Sequence, residues 1–284
     1  MENTIIHHSL KQCKKWLIAL PLALGLVGCG SSLMSAIVPG SVTADDLEKA
    51  AEYQYSTLLS EARQQNALVP MANRQNQRLQ AIAQRLIPYT YEYNEKAHNW
   101  NWEINLIRSN EFNAFCMPGG KIAFYTALIN DLKLTDDEIA IVMGHEMVHA
   151  LREHSLTQIN KTALTNTGLA VGAQAAGVDG NVAADYLVNL GSQLMSLQFS
   201  RSDETEADRI GQELAARAGY DPRAAISLWE KMAAASGASD TPTFLRTHPQ
   251  NDQRIANLRA NLPNVMPLYE EALQQRQQSQ RNRR

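Results

Sequence analysis

Cysteine, long apolar runs and an excess of basic charge are all scarce in this 284-residue chain, and each absence excludes a class of protein. Three cysteines are too few for a disulfide scaffold, so a packed core or a metal must stabilise the fold. The main apolar run has 12 residues, whereas a membrane-spanning helix needs about 20. A formal net charge of −3 does not suggest a nucleic-acid-binding protein. The length and the 44% hydrophobic content suit one globular domain of good size, or two small ones.

The apolar run lies near the N-terminus and has the features of a targeting segment. A short lysine-containing stretch precedes the apolar run at residues 16–27. The end of this run leads into the sequence Leu-Val-Gly-Cys, which finishes at Cys29. This pattern resembles the lipobox of bacterial lipoproteins, in which residues 1–28 are removed and the cysteine is lipidated. The alternative is an ordinary secretory signal with an incidental cysteine. Acyl chains on Cys29 would anchor the protein, residues 29–42 would form a tether, and Gly30 by the same resemblance favours the outer membrane.

Residues 43–265 have the pattern of one mainly helical domain with a small β-sheet, an α+β fold. Capping and apolar periodicity predict helices at its start, and residues 99–108 alternate apolar and polar side chains, which predicts a half-buried strand. Residues 110–125 predict a hairpin that turns at a Pro-Gly-Gly sequence. Residues 266–284 are predicted to be the end of a helix followed by a polar, disordered tail rich in glutamine and arginine.

The strongest chemical signal is the segment Ile139–His154, which contains His145, Glu146 and His149 in the pattern H-E-x-x-H. Residues i and i+4 share one face of a helix, so the two imidazoles point the same way with Glu146 beside them. The other residues of the segment are mostly apolar, which indicates a buried helix. Two histidines and a glutamate in a buried helix need a partner, and a zinc ion would satisfy them.

A hydrolytic zinc site takes three protein ligands, so a third ligand must come from elsewhere in the chain. The glycine and third histidine of the metzincin pattern are absent, and His154 points off the ligand face, as a supporting or structural histidine would. In a later acidic segment Glu204 and Asp208 share one helix face, while Glu206 points to the far side. The longer reach of glutamate favours Glu204 as the ligand and Asp208 as the carboxylate that orients a ligating histidine. The alternative for this segment is a solvated acidic helix face.

Several segments together resemble the gluzincin family of HtpX and the CAAX prenyl endopeptidase. The resemblance covers about residues 45–265 and implies a zincin-like fold that holds one zinc ion per chain. Cys116 departs from the pattern, because many relatives have a small residue there, and the transmembrane helices of the membrane-embedded members are absent. The matching segments are Asn113–Gly120, His145–His149 and Ser200–Asp208, and two more, Gly219–Pro222 and Thr247–Pro249, are similar to the periplasmic, Oma-like branch.

Membership in this family would imply hydrolysis of peptide bonds. Zinc would lower the pKa of its water to about 7, and Glu146 would take the proton and pass it to the leaving amine. His248 and Arg201 are candidates for the cationic group that stabilises the oxyanion. For His248 two further roles stay open: a fourth zinc ligand that keeps the enzyme latent, or a plain cap in a turn.

The predicted strand that contains Asn113, Ala114 and Phe115 could pair with an extended substrate backbone, which suits unfolded polypeptides. The leading hypothesis is a zinc endopeptidase that acts on unfolded or misassembled envelope proteins. It would be held by its lipid at the periplasmic side of the bacterial outer membrane, with a possible partner lipoprotein or assembly machinery. One alternative is a lipoprotein chaperone or assembly factor with latent protease activity, and another is a zinc hydrolase that does not cleave peptides.

Overall fold

A computed structural model describes residues 42–167, 182–235, 243–249 and 253–282. Within these ranges, α-helices surround one small sheet, which confirms the predicted α+β fold class. No helix in the described part of the chain is both long and apolar enough to cross a bilayer. The predicted signal peptide, Cys29 and nearly all of the predicted tether lie outside the described residues.

Along the chain, two α-helices precede the three strands of the sheet and the other described α-helices follow them. Two short 3-10 helices, Ile87–Glu92 and Glu95–Asn99, join the second helix to the first strand. The strands are β1 (Glu103–Ile107), β2 (Ala114–Met117) and β3 (Lys121–Tyr125). The α-helices are α1 (Ala44–Gln64), α2 (Arg74–Leu86), α3 (Thr126–Asp131), α4 (Asp136–Leu151), α5 (His154–Thr167), α6 (Val182–Leu194), α7 (Arg201–Arg217), α8 (Ala224–Ala235), α9 (Thr243–Thr247) and α10 (Arg254–Asn282).

The sheet has the order β1-β3-β2, with β1 parallel to β3 and β2 antiparallel to β3. Gly119 and Gly120, with φ of 78° and 77°, form the predicted turn between β2 and β3, in a conformation that other residues rarely adopt. The outer edge of β1 is covered, because Leu68 forms an antiparallel bridge with Ile107. In the described residues no strand pairs with the outer edge of β2, so this edge is open.

The sheet is buried on both of its faces. Ile104 and Leu106 of β1 face the main core beside α2 and α4, whereas Ile107 packs on the other side against α1. Asn105 also faces α1, and its amide donates to the Tyr55 hydroxyl over 3.2 Å. The prediction of a half-buried strand is therefore wrong, because α1 returns across the face that an alternating pattern assigns to solvent.

Helices α4 and α7 cross at Gly144 and Gly211 with no side chain between their backbones. A Cβ atom added to Gly211 would lie 2.7 Å from the backbone nitrogen of His145, and one added to Gly144 would lie 2.8 Å from the carbonyl oxygen of Gly211. Real Cβ atoms do not come this close to backbone, so both positions need glycine. The contact brings the zinc-motif helix within reach of the acidic face of α7.

Helix α10 continues to Asn282, so the predicted disordered tail is wrong for every described residue of that segment. Two prolines, Pro263 and Pro267, lie inside the helix without ending it. Buried contacts at Val265 and Ala272 hold the helix against the domain, and the resulting burial outweighs the local cost of the prolines.

Candidate metal centre

Helix α4 presents the first three residues of the centre. A capping box is present at its start: the Thr135 hydroxyl accepts the Glu138 backbone N–H, and the Glu138 carboxylate accepts that of Thr135. Farther along the helix His145, Glu146 and His149 are only 1–2% exposed. The H-E-x-x-H motif is thus inside the protein, where its polar atoms require partners.

Helices α7 and α9 supply two more buried polar residues. A capping box at Ser200 starts α7 and directs Glu204, four residues later, towards α4. Directly after α9, the backbone N–H of His248 donates to the Phe244 carbonyl over 2.9 Å, and the Phe244 ring stacks on the imidazole. Glu204 and His248 are each 2% exposed. Three separate elements therefore direct polar side chains to one point.

The donor atoms of His145, His149, Glu204 and His248 all lie within 4.8 Å of one another. The Nε2 atom of His145 is 3.1 Å from Nε2 of His149 and 3.3 Å from Nδ1 of His248. The Oε1 atom of Glu204 is 2.9 Å from Nδ1 of His248 and 3.4 Å from Nε2 of His149. These four residues form what we call the donor cluster.

The spacing and chemistry of the donor cluster fit a zinc ion. Zinc bonds of about 2.0–2.2 Å in a tetrahedron place neighbouring donor atoms about 3.3 Å apart, close to the distances observed. One buried oxygen of the site, Oε1 of Glu146, makes no hydrogen bond within the described residues. Three buried imidazoles and a carboxylate are ligands that zinc prefers, and His145, His149 and Glu204 are the three that the sequence predicted.

The pKa values of His149 and Glu204 are shifted in the directions that favour binding of a cation. Burial lowers the pKa of His149 well below its ordinary value, so the imidazole is neutral and its lone pair is free. Burial alone would raise the pKa of Glu204, but the imidazoles around it hold this pKa below its ordinary value. Burial alone would lower the pKa of His248, but the nearby carboxylates of Glu146 and Glu204 raise this pKa above its ordinary value. A neutral imidazole beside an ionised carboxylate is the protonation state that metal binding requires.

Asp208 and Arg254 support the cluster from behind. The Oδ1 atom of Asp208 lies 3.0 Å from Nδ1 of His145, which is the orienting position that the sequence predicted for this residue. Nη1 of Arg254 lies 2.9 Å from Oε2 of Glu204, and Nη2 donates to Asp208 over 2.7 Å. The guanidinium also lies 3.4 Å above the ring centre of Trp229. Sequence reasoning missed Arg254, because a single arginine at the start of a helix carries no spacing signal.

The remaining predicted residues have different positions. Arg201 is exposed at the first position of α7, so the structure does not bring its side chain into the buried cluster. His154 contacts the rear of His149, with their Nδ1 atoms 3.0 Å apart. Glu206 lies off the face of Glu204, as predicted, but its carboxylate reaches His154. Cys116 lies in β2 as a free, buried thiol, and burial raises its pKa.

A cleft lies between β2 and the donor cluster. Asn113, Ala114 and Phe115 form part of its wall, and Glu146 and His248 form its polar side. The opposite wall is mostly apolar and comes from the end of α6 and the segment that follows it. Its apolar residues are Leu194, Met195, Leu197 and Phe199.

An H-E-x-x-H helix, a glutamate from a second helix and a cleft beside an open strand together define a metal-dependent hydrolase centre. The sequence model of Peptidase family M48 matches residues 73–262. The chain therefore belongs to peptidase family M48, and the predicted resemblance to zinc metallopeptidases is confirmed.

Three relatives illustrate this similarity. The chain is 36% identical over 163 residues to the mitochondrial metalloendopeptidase OMA1 of Schizosaccharomyces pombe, covering 57% of this chain and 47% of that protein. It is 27% identical over 247 residues to the metalloprotease LoiP of Escherichia coli, covering 86% of this chain and 94% of that protein. It is 32% identical over 176 residues to the beta-barrel assembly-enhancing protease of E. coli, covering 57% and 35%. The chain thus spans about half the length of the yeast protein and about a third of the assembly-enhancing protease.

Proposed function

We propose that the protein is a zinc-dependent endopeptidase that cleaves unfolded or misassembled polypeptides of the bacterial envelope. The convergence of His145, His149 and Glu204 on one point, with Glu146 beside them, carries this proposal. The family supports the reaction class, and the names of two bacterial relatives agree with it.

Glu146 has the position and the environment of a general base. A zinc ion held by the three ligands would polarise the scissile carbonyl and make water acidic enough to lose a proton near pH 7. Burial raises the pKa of the Glu146 carboxyl above its ordinary value, so it holds a proton more readily than an exposed glutamate does. Its Oε1 atom makes no hydrogen bond within the described residues, which leaves it able to accept the proton from water and pass it to the leaving amine.

The open edge of β2 supports an extended polypeptide as the substrate. The Tyr125 N–H donates to the Asn113 carbonyl, and antiparallel pairs alternate between bonded and non-bonded positions. This register turns the backbone groups of Ala114 and Cys116 away from β3 and towards the open edge. A substrate strand added there would lie against the apolar wall of the cleft, which favours chains with exposed apolar side chains.

The Glu146→Gln variant tests the reaction. We expect it to retain zinc and thermal stability while cleavage of casein falls by at least about 100-fold, because the base is lost and the ligands remain. Glu270→Gln, at an exposed position of α10, is the matched control and should retain full activity. The mechanism is wrong if Glu146→Gln cleaves at the wild-type rate. The zinc content of Glu204→Ala, which we expect to be lost, tests the third ligand.

A second candidate function is a chaperone or assembly factor whose protease activity is latent. The observation that favours it is the position of His248, whose Nδ1 atom completes a set of four donors. Structural zinc sites have four protein ligands, whereas catalytic ones keep a position for water. A deletion strain complemented with Glu146→Gln separates the two functions: full rescue of the envelope phenotype supports the chaperone, and no rescue supports the protease.

Attachment to the outer membrane is a further part of the proposal, and the sequence around Cys29 supports it. We expect Cys29→Ala to move the protein from the membrane fraction to the soluble periplasmic fraction. Cys13→Ala, in the basic stretch before the apolar run, is the matched control and should remain in the membrane fraction. A Cys29→Ala protein that stays bound to the membrane would contradict the lipid anchor.

A further inference from the structure

Behind His149, on the side away from the donor cluster, a second imidazole and a carboxylate form a continuous chain of contacts. Nδ1 of His154 lies 3.0 Å from Nδ1 of His149, and Nε2 of His154 lies 3.1 Å from Oε2 of Glu206. Nε of Arg152 donates to the other oxygen of Glu206 over 2.9 Å. We call the three residues His149, His154 and Glu206 the relay.

The chemistry of these contacts determines where each proton lies. The carboxylate of Glu206 only accepts, so Nε2 of His154 must carry the proton. In a neutral His154 the Nδ1 atom is then an acceptor, and Nδ1 of His149 must donate to it. The Nε2 atom of His149, which points into the donor cluster, is left with a free lone pair. The opposite arrangement would place an N–H at that atom and exclude a metal.

The two histidine ligands are therefore oriented in different ways. His145 contacts a carboxylate directly, since Oδ1 of Asp208 lies 3.0 Å from its Nδ1. Among the described residues no carboxylate contacts Nδ1 of His149, and this atom is joined to Glu206 through the His154 ring. A metal-bound histidine commonly donates its second N–H to a carboxylate or carbonyl, and such partners set the tautomer and the ring orientation.

We propose that His154 and Glu206 are positioning residues that fix the tautomer and ring orientation of His149 for zinc binding. This inference rests on the zinc centre of the proposed function. His154 is 5% exposed, and its ring is further held by an edge contact with His149. Arg152 and Glu206 are partly exposed, so the relay reaches from the surface to the donor cluster.

The alternative to the proposed positioning role is a purely structural role for His154. His154 is the first residue of α5, and it follows Glu153, whose φ of 54° marks a sharp turn after α4. A histidine that only held this turn would affect stability without affecting the affinity for zinc. The test must therefore measure zinc affinity and the coordination spectrum as well as folding.

We would measure the zinc dissociation constant of the full chain by competition with a chromogenic chelator, and the visible spectrum of the cobalt-substituted protein. We expect Glu206→Ala and His154→Leu to weaken zinc binding by about 10- to 100-fold and to shift the cobalt bands. Glu206→Gln and His154→Gln should recover most of the affinity, because a side-chain carbonyl can accept the same proton. Arg152→Ala, which removes only the outer ion pair, is the control and should bind zinc within about threefold of wild type.

Wild-type zinc affinity and an unshifted cobalt spectrum in Glu206→Ala would overturn the relay. This variant decides the question even if His154→Leu fails to fold, because the Glu206 side chain is 33% exposed. A failure of the relay differs from a failure of the proposed function. In the first case the wild type binds zinc and cleaves casein while Glu206→Ala binds equally well, and in the second the wild type itself binds no zinc.

Discussion

The Nδ1 atom of His248 lies 2.9 Å from Oε1 of Glu204, although 44 positions separate the two residues in the chain. The contact places an imidazole where a catalytic zinc site would keep its position for water. His248 also lies near the base, with Nε2 3.4 Å from Oε1 of Glu146. One residue that directly follows α9 therefore lies within 3.4 Å of both the proposed third ligand and the proposed general base.

Removal of this imidazole should raise the peptidase activity. In His248→Ala the three remaining ligands leave a coordination position open, so we expect a severalfold increase in kcat/KM on casein-derived peptides and a weaker affinity for zinc. Kinetics and zinc competition on the same preparation would test both. His98→Ala, which removes a ring outside the donor cluster, should leave both values unchanged. A fall in kcat with unchanged zinc affinity would instead assign His248 to oxyanion stabilisation.

Zinc should stabilise the fold as well as supply chemistry. Without the ion, three imidazoles and two carboxylates are crowded in a buried site, so binding favours the native state. At a zinc concentration of 100 times Kd the expected gain is about 2.7 kcal/mol, which corresponds to a rise in Tm of roughly 5–10 °C. Thermal melts with and without a chelator would measure it. The Tm of Glu204→Ala should not rise when zinc is added. A wild-type Tm that does not change with zinc would argue against a metal centre.

The glycine crossing of α4 and α7 should be sensitive to a single methyl group. A Cβ at Gly211 meets the backbone of His145, so Gly211→Ala must push the helices apart and separate Glu204 from the histidines. We expect a loss of about 1–3 kcal/mol of stability together with weaker zinc binding. Denaturant titration and chelator competition would measure the two effects. Thr205→Ala, at an exposed position of α7, is the control and should show neither.

Acid should weaken the link between α4 and α8 through Glu138. Burial alone would raise the pKa of this carboxyl, but hydrogen bonds from Lys231, Thr135 and Ser227 hold it below its ordinary value. The ionised form therefore stabilises the fold above the unfolded pKa of about 4.3, and this contribution disappears as the pH falls through the lower folded pKa.

We expect Glu138→Gln to cost about 1.5–3 kcal/mol at pH 7, because it removes charged hydrogen bonds. The difference from wild type should shrink in more acidic buffers, where the wild type also loses its charge. Urea titrations between pH 7 and pH 3 would show this trend. Glu230→Gln, which removes an exposed ion pair with Arg259, should have little effect at any pH. A deficit that does not change with pH would contradict the role of the Glu138 charge.

The local parts of this protein could be predicted from the sequence because their signals are local. Capping boxes mark the starts of α1 and α4 within four residues each, and the structure contains both. The two histidines and Glu204 follow from helix periodicity together with the chemistry of zinc. The β2–β3 turn could be predicted because a Pro-Gly-Gly sequence is a strong turn signal.

The parts that could not be predicted depend on contacts between distant segments. Arg254 enters the centre from α10 and lies against Trp229 of α8, and neither residue has a recognisable motif. Helix periodicity predicts that Glu206 lies off the ligand face, yet its contact with His154 depends on the turn between α4 and α5. The polar tail continues α10, and Arg276 within it donates to the Ala218 carbonyl over 2.9 Å, a contact that a count of polar residues cannot reveal.

If substrates pair with β2 as proposed, the four-residue length of this strand limits which proteins can be cleaved. A partner strand along Ala114–Met117 must be extended over roughly 13 Å, at about 3.3 Å per residue. Compact hairpin turns and helices cannot supply such a stretch without first coming apart. Substrate selection would then depend less on a recognition sequence than on how long a polypeptide spends with several consecutive residues unpaired. Slow-folding proteins would therefore be cleaved more often than fast-folding ones.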